Sequence, residues 1–65
     1  MNETCKEHYN NLLKHATRKE LQYEEKRTES DWEAYQKAQN NLYYYVLALY
    51  DAGIITEEQY EEMIL

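Results

Sequence analysis

The sequence predicts an all-α fold, an antiparallel helical hairpin followed by a short third helix, and three observations support this prediction. The 65-residue chain has no proline and one glycine, so little interrupts helix formation. Apolar residues recur at three- and four-residue intervals along two long segments. Three segments also open with capping-box patterns, Thr4 with Glu7, Ser30 with Glu33 and Thr56 with Gln59. We therefore expect residues 1–65 to form a single small helical domain.

The first helix is predicted from about residue 5 to residue 26. At 100° per residue, one narrow apolar stripe on it contains Cys5, Tyr9, Leu12, Ala16 and Tyr23. Lys19 interrupts this stripe, so the coiled-coil seam that it resembles is imperfect.

The second helix is predicted from about residue 31 to residue 52. Its seam is more regular and contains Tyr35, Ala38, Leu42, Tyr45, Leu49 and Ala52, with Val46 beside it. The two seams can close on each other as a hairpin. One uninterrupted helix from Thr4 to Ala52 is the alternative, because residues 28–30 contain neither glycine nor proline.

The third helix is predicted from about residue 57 to residue 64. Ile55 before its cap and Tyr60 at its fourth position are placed to form a hydrophobic staple. Gly53 suits the left-handed position that closes the preceding helix. We expect Tyr60 and its neighbours to cover part of the side of the second helix that carries Tyr44 and Leu47.

Residues 49–61, LYDAGIITEEQYE, resemble the short C-terminal helical module known as SHOCT. The resemblance covers thirteen residues, with a leucine, aspartate, glycine, Ile-Thr, acidic pair and aromatic residue in the same order. Members of that family usually continue into a basic helix that ends in leucine, whereas this chain continues with Glu62-Met63-Ile64-Leu65. The resemblance implies a role in interaction or oligomerisation.

Charge is unevenly distributed along this chain of net charge −6. Residues 1–19 carry four cations against two carboxylates, a balance of +2. Residues 20–65 carry eleven carboxylates against three cations, a balance of −8. Most of the surface should repel nucleic acid and attract proteins with a basic surface. We therefore expect no direct binding of nucleic acid and, since the longest apolar run is too short to span a bilayer, no membrane insertion.

The uncharged run Leu42–Tyr50, LYYYVLALY, carries more apolar and tyrosine surface than one helix stripe can bury. Part of it should therefore meet another helix or another protein. The candidate partner-binding residues are Trp32, Tyr43, Tyr44, Leu47 and Tyr50. For the four aromatic residues of this set, burial in the protein's own small core is the alternative interpretation.

Carboxylates gather around the predicted hairpin turn and again near the C-terminal helix. The candidate acidic surface comprises Glu24, Glu25, Glu29, Asp31, Glu33, Asp51, Glu57, Glu58, Glu61 and Glu62. These residues either keep the protein soluble or mimic nucleic-acid phosphates and so compete for a basic groove on a partner.

In size, acidity and absence of catalytic motifs, the chain is similar to small phage-encoded inhibitors such as anti-CRISPR proteins. That similarity implies a non-enzymatic inhibitor or regulator that occludes the basic surface of a nucleic-acid-handling enzyme, for example a CRISPR nuclease. The alternative is a homo-oligomerising structural or adaptor module that dimerises through Tyr44, Leu47 and Ala48. A DNA-contacting transcription factor that uses the first helix is a third possibility. The lone Cys5 and the lack of a secretory leader predict a cytoplasmic protein, of a bacterial host if phage-encoded.

Cys5 and His8 have a spacing that could share a metal ion, but His15 lies two turns away from them. Four close ligands are not available, so we expect no metal and no cofactor. Cys5 falls on the predicted core stripe, which disfavours a nucleophilic role, and we expect no enzymatic activity. A short basic face of Lys14, His15, Arg18 and Lys19 should be solvated or paired with carboxylates of a neighbour.

Overall fold

The fold is a hairpin of two long helices with a third, short helix packed against the second. A computed structural model describes residues 1–64 of the chain. Within them, α1 spans Glu3–Lys26, α2 spans Glu29–Asp51 and α3 spans Glu57–Ile64. The predicted all-α hairpin with a short third helix is confirmed, and a single continuous helix through α1 and α2 is wrong.

The chain turns between α1 and α2 within two residues. Arg27 adopts a left-handed conformation, with φ 52° and ψ 35°. Its backbone N–H donates to the carbonyl of Tyr23 at 2.7 Å, which satisfies one of the free carbonyls at the end of α1. Thr28 then caps α2, because its Oγ1 accepts from the backbone N–H of Asp31 at 3.1 Å. A left-handed residue with a side chain costs about 1–2 kcal/mol, so this turn carries local strain.

Two of the three predicted helix starts are wrong by two residues. The side chain of Asn2, rather than that of Thr4, caps α1 by accepting from the N–H of Cys5 at 2.8 Å. Thr28, rather than Ser30, caps α2. In both cases a second residue with a good capping side chain stands two positions upstream, so the helix gains hydrogen bonds by starting earlier.

α2 ends two residues before the only glycine of the chain, which closes the helix as its sequence context predicts. Gly53 has φ 74°, and its N–H donates to the carbonyl of Tyr50 at 3.0 Å. The N–H of Ile54 donates to the carbonyl of Leu49 at 2.9 Å. This pair of bonds is the Schellman arrangement, which satisfies free carbonyls at the end of a helix.

The capping box at the start of α3 is confirmed. The N–H of Gln59 donates to Thr56 Oγ1 at 3.2 Å, and the N–H of Thr56 donates to Gln59 Oε1 at 2.9 Å. Ile55 is buried and Tyr60 packs against the cluster that contains it, as the predicted staple requires. The cap and staple together set the direction in which α3 leaves the turn.

The core lies along the contact between α1 and α2. Its buried members are Ala16, Ala38, Leu42, Val46, Leu49 and Ile55. Other residues of the two predicted seams, including Tyr9 and Leu12, are half-buried and pack against it. Ala52 is exposed and caps α2, so its predicted place in the seam is wrong.

The molecule is long and thin. Its dimensions are 38 × 18 × 15 Å and its radius of gyration is 13.0 Å. A compact chain of this length would have a radius of gyration of about 11 Å. Its accessible surface of 5015 Å² likewise exceeds the about 4,500 Å² typical of a monomer of 8.0 kDa. More side-chain surface therefore meets solvent than in a compact domain.

Candidate protein-binding surface

The aromatic residues form two separate clusters. The first, which we call the hairpin cluster, consists of Tyr23, Trp32 and Tyr35 near the α1–α2 turn. Ring centroids are 5.0 Å apart between Tyr23 and Trp32, and 5.8 Å apart between Trp32 and Tyr35. Trp32 is partly exposed, while Tyr23 and Tyr35 are half-buried. These rings pack the closed end of the hairpin, next to the α1–α2 turn and beyond the aliphatic core.

The second cluster, which we call the tyrosine cluster, consists of Tyr43, Tyr44, Tyr50 and Tyr60. The rings of Tyr43 and Tyr44 lie 5.8 Å apart, and those of Tyr50 and Tyr60 lie 5.0 Å apart. The Tyr60 hydroxyl donates to the Tyr43 hydroxyl at 3.3 Å and so links the two pairs. α2 supplies three of the rings and α3 supplies the fourth, so this cluster connects α3 to α2.

Much of the tyrosine cluster faces solvent. The exposed fraction of the side chain is 64% for Tyr44, 43% for Tyr43 and 37% for Tyr50. Tyr45, in the same run, is half-buried instead, with its ring edge on His8 at 4.5 Å and its hydroxyl donating to the Cys5 carbonyl at 3.4 Å. The orientation of α2 about its axis therefore places Tyr45 against α1 and leaves Tyr43 and Tyr44 on the surface.

The five candidate partner-binding residues do not form one surface. Tyr43, Tyr44 and Tyr50 come together in the tyrosine cluster. Trp32 lies in the hairpin cluster, eleven residues or about 16 Å away along α2. Leu47 is half-buried. α3 packs on the Tyr43 and Tyr50 side of α2, so it leaves Tyr44 uncovered.

The candidate acidic residues occupy opposite ends of the molecule. One group, which contains Glu29 and Glu33, surrounds the hairpin turn, while the other, which contains Asp51 and Glu57, lies around the turn into α3. From Glu33 to Asp51 the helical rise is about 27 Å. All ten carboxylates are exposed except that of Asp31, which accepts from the Thr28 hydroxyl at 2.7 Å. Only the second group adjoins the tyrosine cluster.

Two tyrosine hydroxyls hold their protons more tightly than usual. The hydrogen bond to Tyr43, then desolvation and the nearby Asp51 carboxylate, raise the pKa of Tyr60 above its ordinary 10.0. Burial, followed by the interaction with Cys5, raises the pKa of Tyr45. Both hydroxyls are neutral donors at physiological pH, which keeps their hydrogen bonds intact.

Several exposed aliphatic side chains were missed by the sequence interpretation. Leu13, Leu21, Ile54 and Ile64 all present large apolar side chains to solvent. Leu13 and Leu21 lie eight residues apart, a spacing that places them on one side of α1 next to the core stripe. That spacing was the available signal for a second apolar face.

Cys5 and His8, the residues considered for metal binding or catalysis, both make packing contacts. Cys5 is a free, half-buried thiol that packs against the core. His8 contacts the ring of Tyr45. Within residues 1–64, no three His, Cys, Asp or Glu side chains are grouped so as to hold a metal ion. Over the same residues, no helix has both the length and the apolar character needed to cross a membrane.

No protein-family model matches the chain, and comparison with curated proteins and with solved structures gives no match. The resemblances to SHOCT modules and to phage-encoded inhibitors therefore stay predictions.

Proposed function

We propose that this protein is a non-enzymatic binding protein that inhibits or regulates a partner protein with a basic surface. The observation that carries this proposal is the tyrosine cluster, in which three rings of one helix are more than a third exposed. Tyrosine is enriched at the energetically dominant positions of protein interfaces. A group of such rings at one place on an 8.0 kDa protein is a strong candidate for a recognition surface.

The contacts within the cluster favour binding because they restrain the rings before a partner arrives. Tyr44 rests against Tyr43, and Tyr50 rests against Tyr60, so each ring has lost part of its freedom already. Restrained side chains lose less conformational entropy on association. Their hydroxyls also remain available as hydrogen-bond donors and acceptors at the edge of the contact.

Charge narrows the class of partner. Asp51 lies close to Tyr60 and adds to the rise of its pKa, and α3 carries four exposed glutamates and no cation, so a basic surface on the partner would be attracted to this end of the molecule. Enzymes that handle nucleic acid carry such surfaces in their binding channels. A CRISPR nuclease would be one such target if the protein is phage-encoded, and inhibition would follow from occlusion of the channel in the bacterial cytoplasm.

The proposal is tested by affinity capture with matched variants. Immobilised wild-type protein, Tyr44→Ala and Asn40→Ala are incubated with lysate of the native host, and captured proteins are identified by mass spectrometry. Asn40 is the control because it is exposed one helical turn before Tyr44. A captured protein should bind Tyr44→Ala about 30-fold more weakly, since an interface tyrosine of this kind contributes about 2 kcal/mol. Asn40→Ala should bind like the wild type.

The charge component is tested on the same captured protein. Added salt should weaken its binding, and single- or double-stranded DNA or RNA should compete for it. Binding that is unchanged by Tyr44→Ala would contradict the tyrosine cluster as the binding surface. Binding that is unchanged by salt and by nucleic acid would contradict a partner with a basic, nucleic-acid-binding surface.

A further inference from the structure

Tyr50 of α2 and Tyr60 of α3, which we call the interhelix ring pair, place two phenols against each other. Their ring centroids are 5.0 Å apart and their planes are inclined by 42°. At this separation, ring carbons of the two phenols are in contact. Tyr50 is 37% exposed and Tyr60 is half-buried, so a small molecule in solution can reach the pair.

The interhelix ring pair is a product of the fold and not of neighbouring positions in the sequence. Its two members stand ten residues apart and belong to different helices. The turn at Gly53 and the capping box that begins at Thr56 direct α3 back onto α2. The Tyr60 hydroxyl also donates to the Tyr43 hydroxyl at 3.3 Å, which further restrains the Tyr60 ring.

The other aromatic contacts of the described residues do not offer such a pair. Tyr43 and Tyr44 are consecutive, so their side chains leave α2 in directions about 100° apart, with ring centroids 5.8 Å from each other. In the hairpin cluster, the ring contacts of both tyrosines are with the tryptophan. Within residues 1–64, the interhelix ring pair is therefore the one contact between tyrosine rings of two different helices.

We propose that the interhelix ring pair is an oxidative cross-linking site, which a one-electron oxidant of phenols converts into dityrosine. A peroxidase with hydrogen peroxide is a biological source of such an oxidant. Two phenoxyl radicals that are already in contact combine without a diffusional encounter, and holding reactants together in this way gives a large rate advantage. The fold supplies that proximity before oxidation begins.

The cross-linking step balances with two equivalents of oxidant. Each phenol gives one electron to the oxidant and its hydroxyl proton to solvent, which leaves a phenoxyl radical on each ring. A carbon–carbon bond then forms between the ring carbons that adjoin the two C–O carbons. The hydrogens on those two carbons move through solvent to the phenoxyl oxygens, so both phenols are restored. In sum, the pair loses two electrons and two protons, which reduce one hydrogen peroxide to two waters.

The link would fix the helix that is held most weakly. α3 has eight residues, and none of them is fully buried. Short elements with little buried surface open locally at low free-energy cost. A covalent bond that closes a short loop removes much of the freedom of the opened chain, as a disulfide does. Cross-linking should therefore hold α3 on α2, while Tyr44 stays outside the link.

The experiment is photo-oxidation of dilute protein by tris(bipyridyl)ruthenium and persulfate, which generate a small one-electron oxidant. Dityrosine is detected by its fluorescence in the monomer band of a reducing, denaturing gel. Digestion after Asp51 and after the glutamates of α3 separates Tyr50 from Tyr60, so tandem mass spectrometry identifies the joined peptides. The wild type should give an intramolecular Tyr50–Tyr60 link with the loss of two hydrogens. Amide hydrogen exchange in the linked protein should slow in α3 and stay unchanged in α1.

Tyr50→Phe and Tyr60→Phe keep a ring but remove a phenol, and each should lose the intramolecular link while the circular dichroism matches the wild type. Tyr44→Phe is the matched control, because it removes a more exposed phenol of the same cluster and should keep the link. In urea, which removes the ring contact, the specific product should be lost to mixed products of all eight tyrosines.

A folded chain that gives no intramolecular dityrosine would overturn the proposal. So would a link that persists in Tyr50→Phe, for example between Tyr43 and Tyr60, or a Tyr50–Tyr60 yield that is equal in the folded protein and in urea. The experiment needs no partner protein, so its outcome is independent of the proposed function.

Discussion

The contact between α1 and α2 differs in kind from the contact between α2 and α3. α1 and α2 meet along their lengths over a buried seam that includes Ala16, Ala38 and Leu42. α3 has eight residues, none of them fully buried. Its contacts with α2 include the Tyr50–Tyr60 ring pair and the Tyr43–Tyr60 hydrogen bond, and half-buried Met63 packs against the core.

The difference shows that one set of residues, in the α1–α2 seam, stabilises the fold, while another set, at the α2–α3 contact, keeps surface available for binding. The hairpin seam uses small and aliphatic residues, whose burial stabilises the fold in proportion to the apolar area removed from water. The α3 contact uses tyrosines that remain partly in solvent. A short helix held by surface rings has low local stability, so α3 should open without unfolding of the hairpin. Two of the rings proposed to bind a partner, Tyr43 and Tyr50, also contact Tyr60 of α3, whereas Tyr44 does not.

The largest expected effect is on the hairpin seam. Leu42→Ala removes a buried side chain between α1 and α2 and should lower the free energy of unfolding by about 3 kcal/mol. Urea denaturation followed by far-ultraviolet circular dichroism measures it. Leu21→Ala is the control and should change stability by less than about 0.5 kcal/mol. Similar losses for the two variants would mean that the seam is not the main source of stability.

Gly53 and Arg27 both have positive φ, but substitutions at these two positions should change the free energy of unfolding in opposite directions. Gly53→Ala should cost about 1–2 kcal/mol, since φ is 74° there and no atom lies within 4 Å of the added Cβ, so strain is the only penalty. Arg27→Gly should stabilise by about 0.5 kcal/mol, because strain relief outweighs the added freedom of the unfolded chain. Urea denaturation measures both. Destabilisation by Arg27→Gly would indicate that the Arg27 side chain has a role in the turn.

The cap of α3 should affect that helix alone. Thr56→Ala removes the acceptor for the Gln59 N–H and should cost α3 about 1 kcal/mol. Amide hydrogen exchange should quicken in α3 and stay unchanged in α1 and α2. Thr56→Ser keeps the hydroxyl and should exchange like the wild type. Faster exchange throughout the chain would show that α3 and the hairpin unfold as one cooperative unit. That result would contradict the lower local stability expected of α3.

Alkaline pH should loosen the attachment of α3. The pKa of Tyr60 is raised in the folded protein, so the folded state holds that proton more tightly than the unfolded chain does. The stabilisation is complete below pH 10 and is lost as pH rises above 10. Hydrogen exchange of α3, corrected for its intrinsic pH dependence, should therefore increase in this range. Tyr60→Phe, which lacks the ionisable hydroxyl, should not show the increase.

The sequence was sufficient for the parts of the fold that depend on local patterns. Gly53, the Thr56–Gln59 box and the two apolar seams each have a local physical cause, and the structure confirms them except for the place of Ala52 in the second seam. The first two caps were placed wrongly because Asn2 and Thr28 compete with nearby hydroxyl residues for the same role. Local patterns alone do not decide between two good caps one half-turn apart.

The candidate site was only partly predictable, because it depends on how the helices are rotated and where α3 lies. The run at residues 42–50 indicated surplus aromatic surface, and Tyr43, Tyr44 and Tyr50 are indeed exposed. The separation of Trp32 from them follows from distance along α2. The ring contacts of Tyr60 require the docking position of α3, which no local pattern specifies.

The most direct test of the account is hydroxyl-radical footprinting of the tyrosines in the free protein and in its complex with the captured partner. In the free protein, Tyr43, Tyr44 and Tyr50 should be oxidised faster than Tyr45, and in the complex Tyr44 and Tyr50 should become protected. If these rings react no faster than Tyr45 in the free protein, or stay fully reactive in the complex, the tyrosine cluster is not the recognition surface.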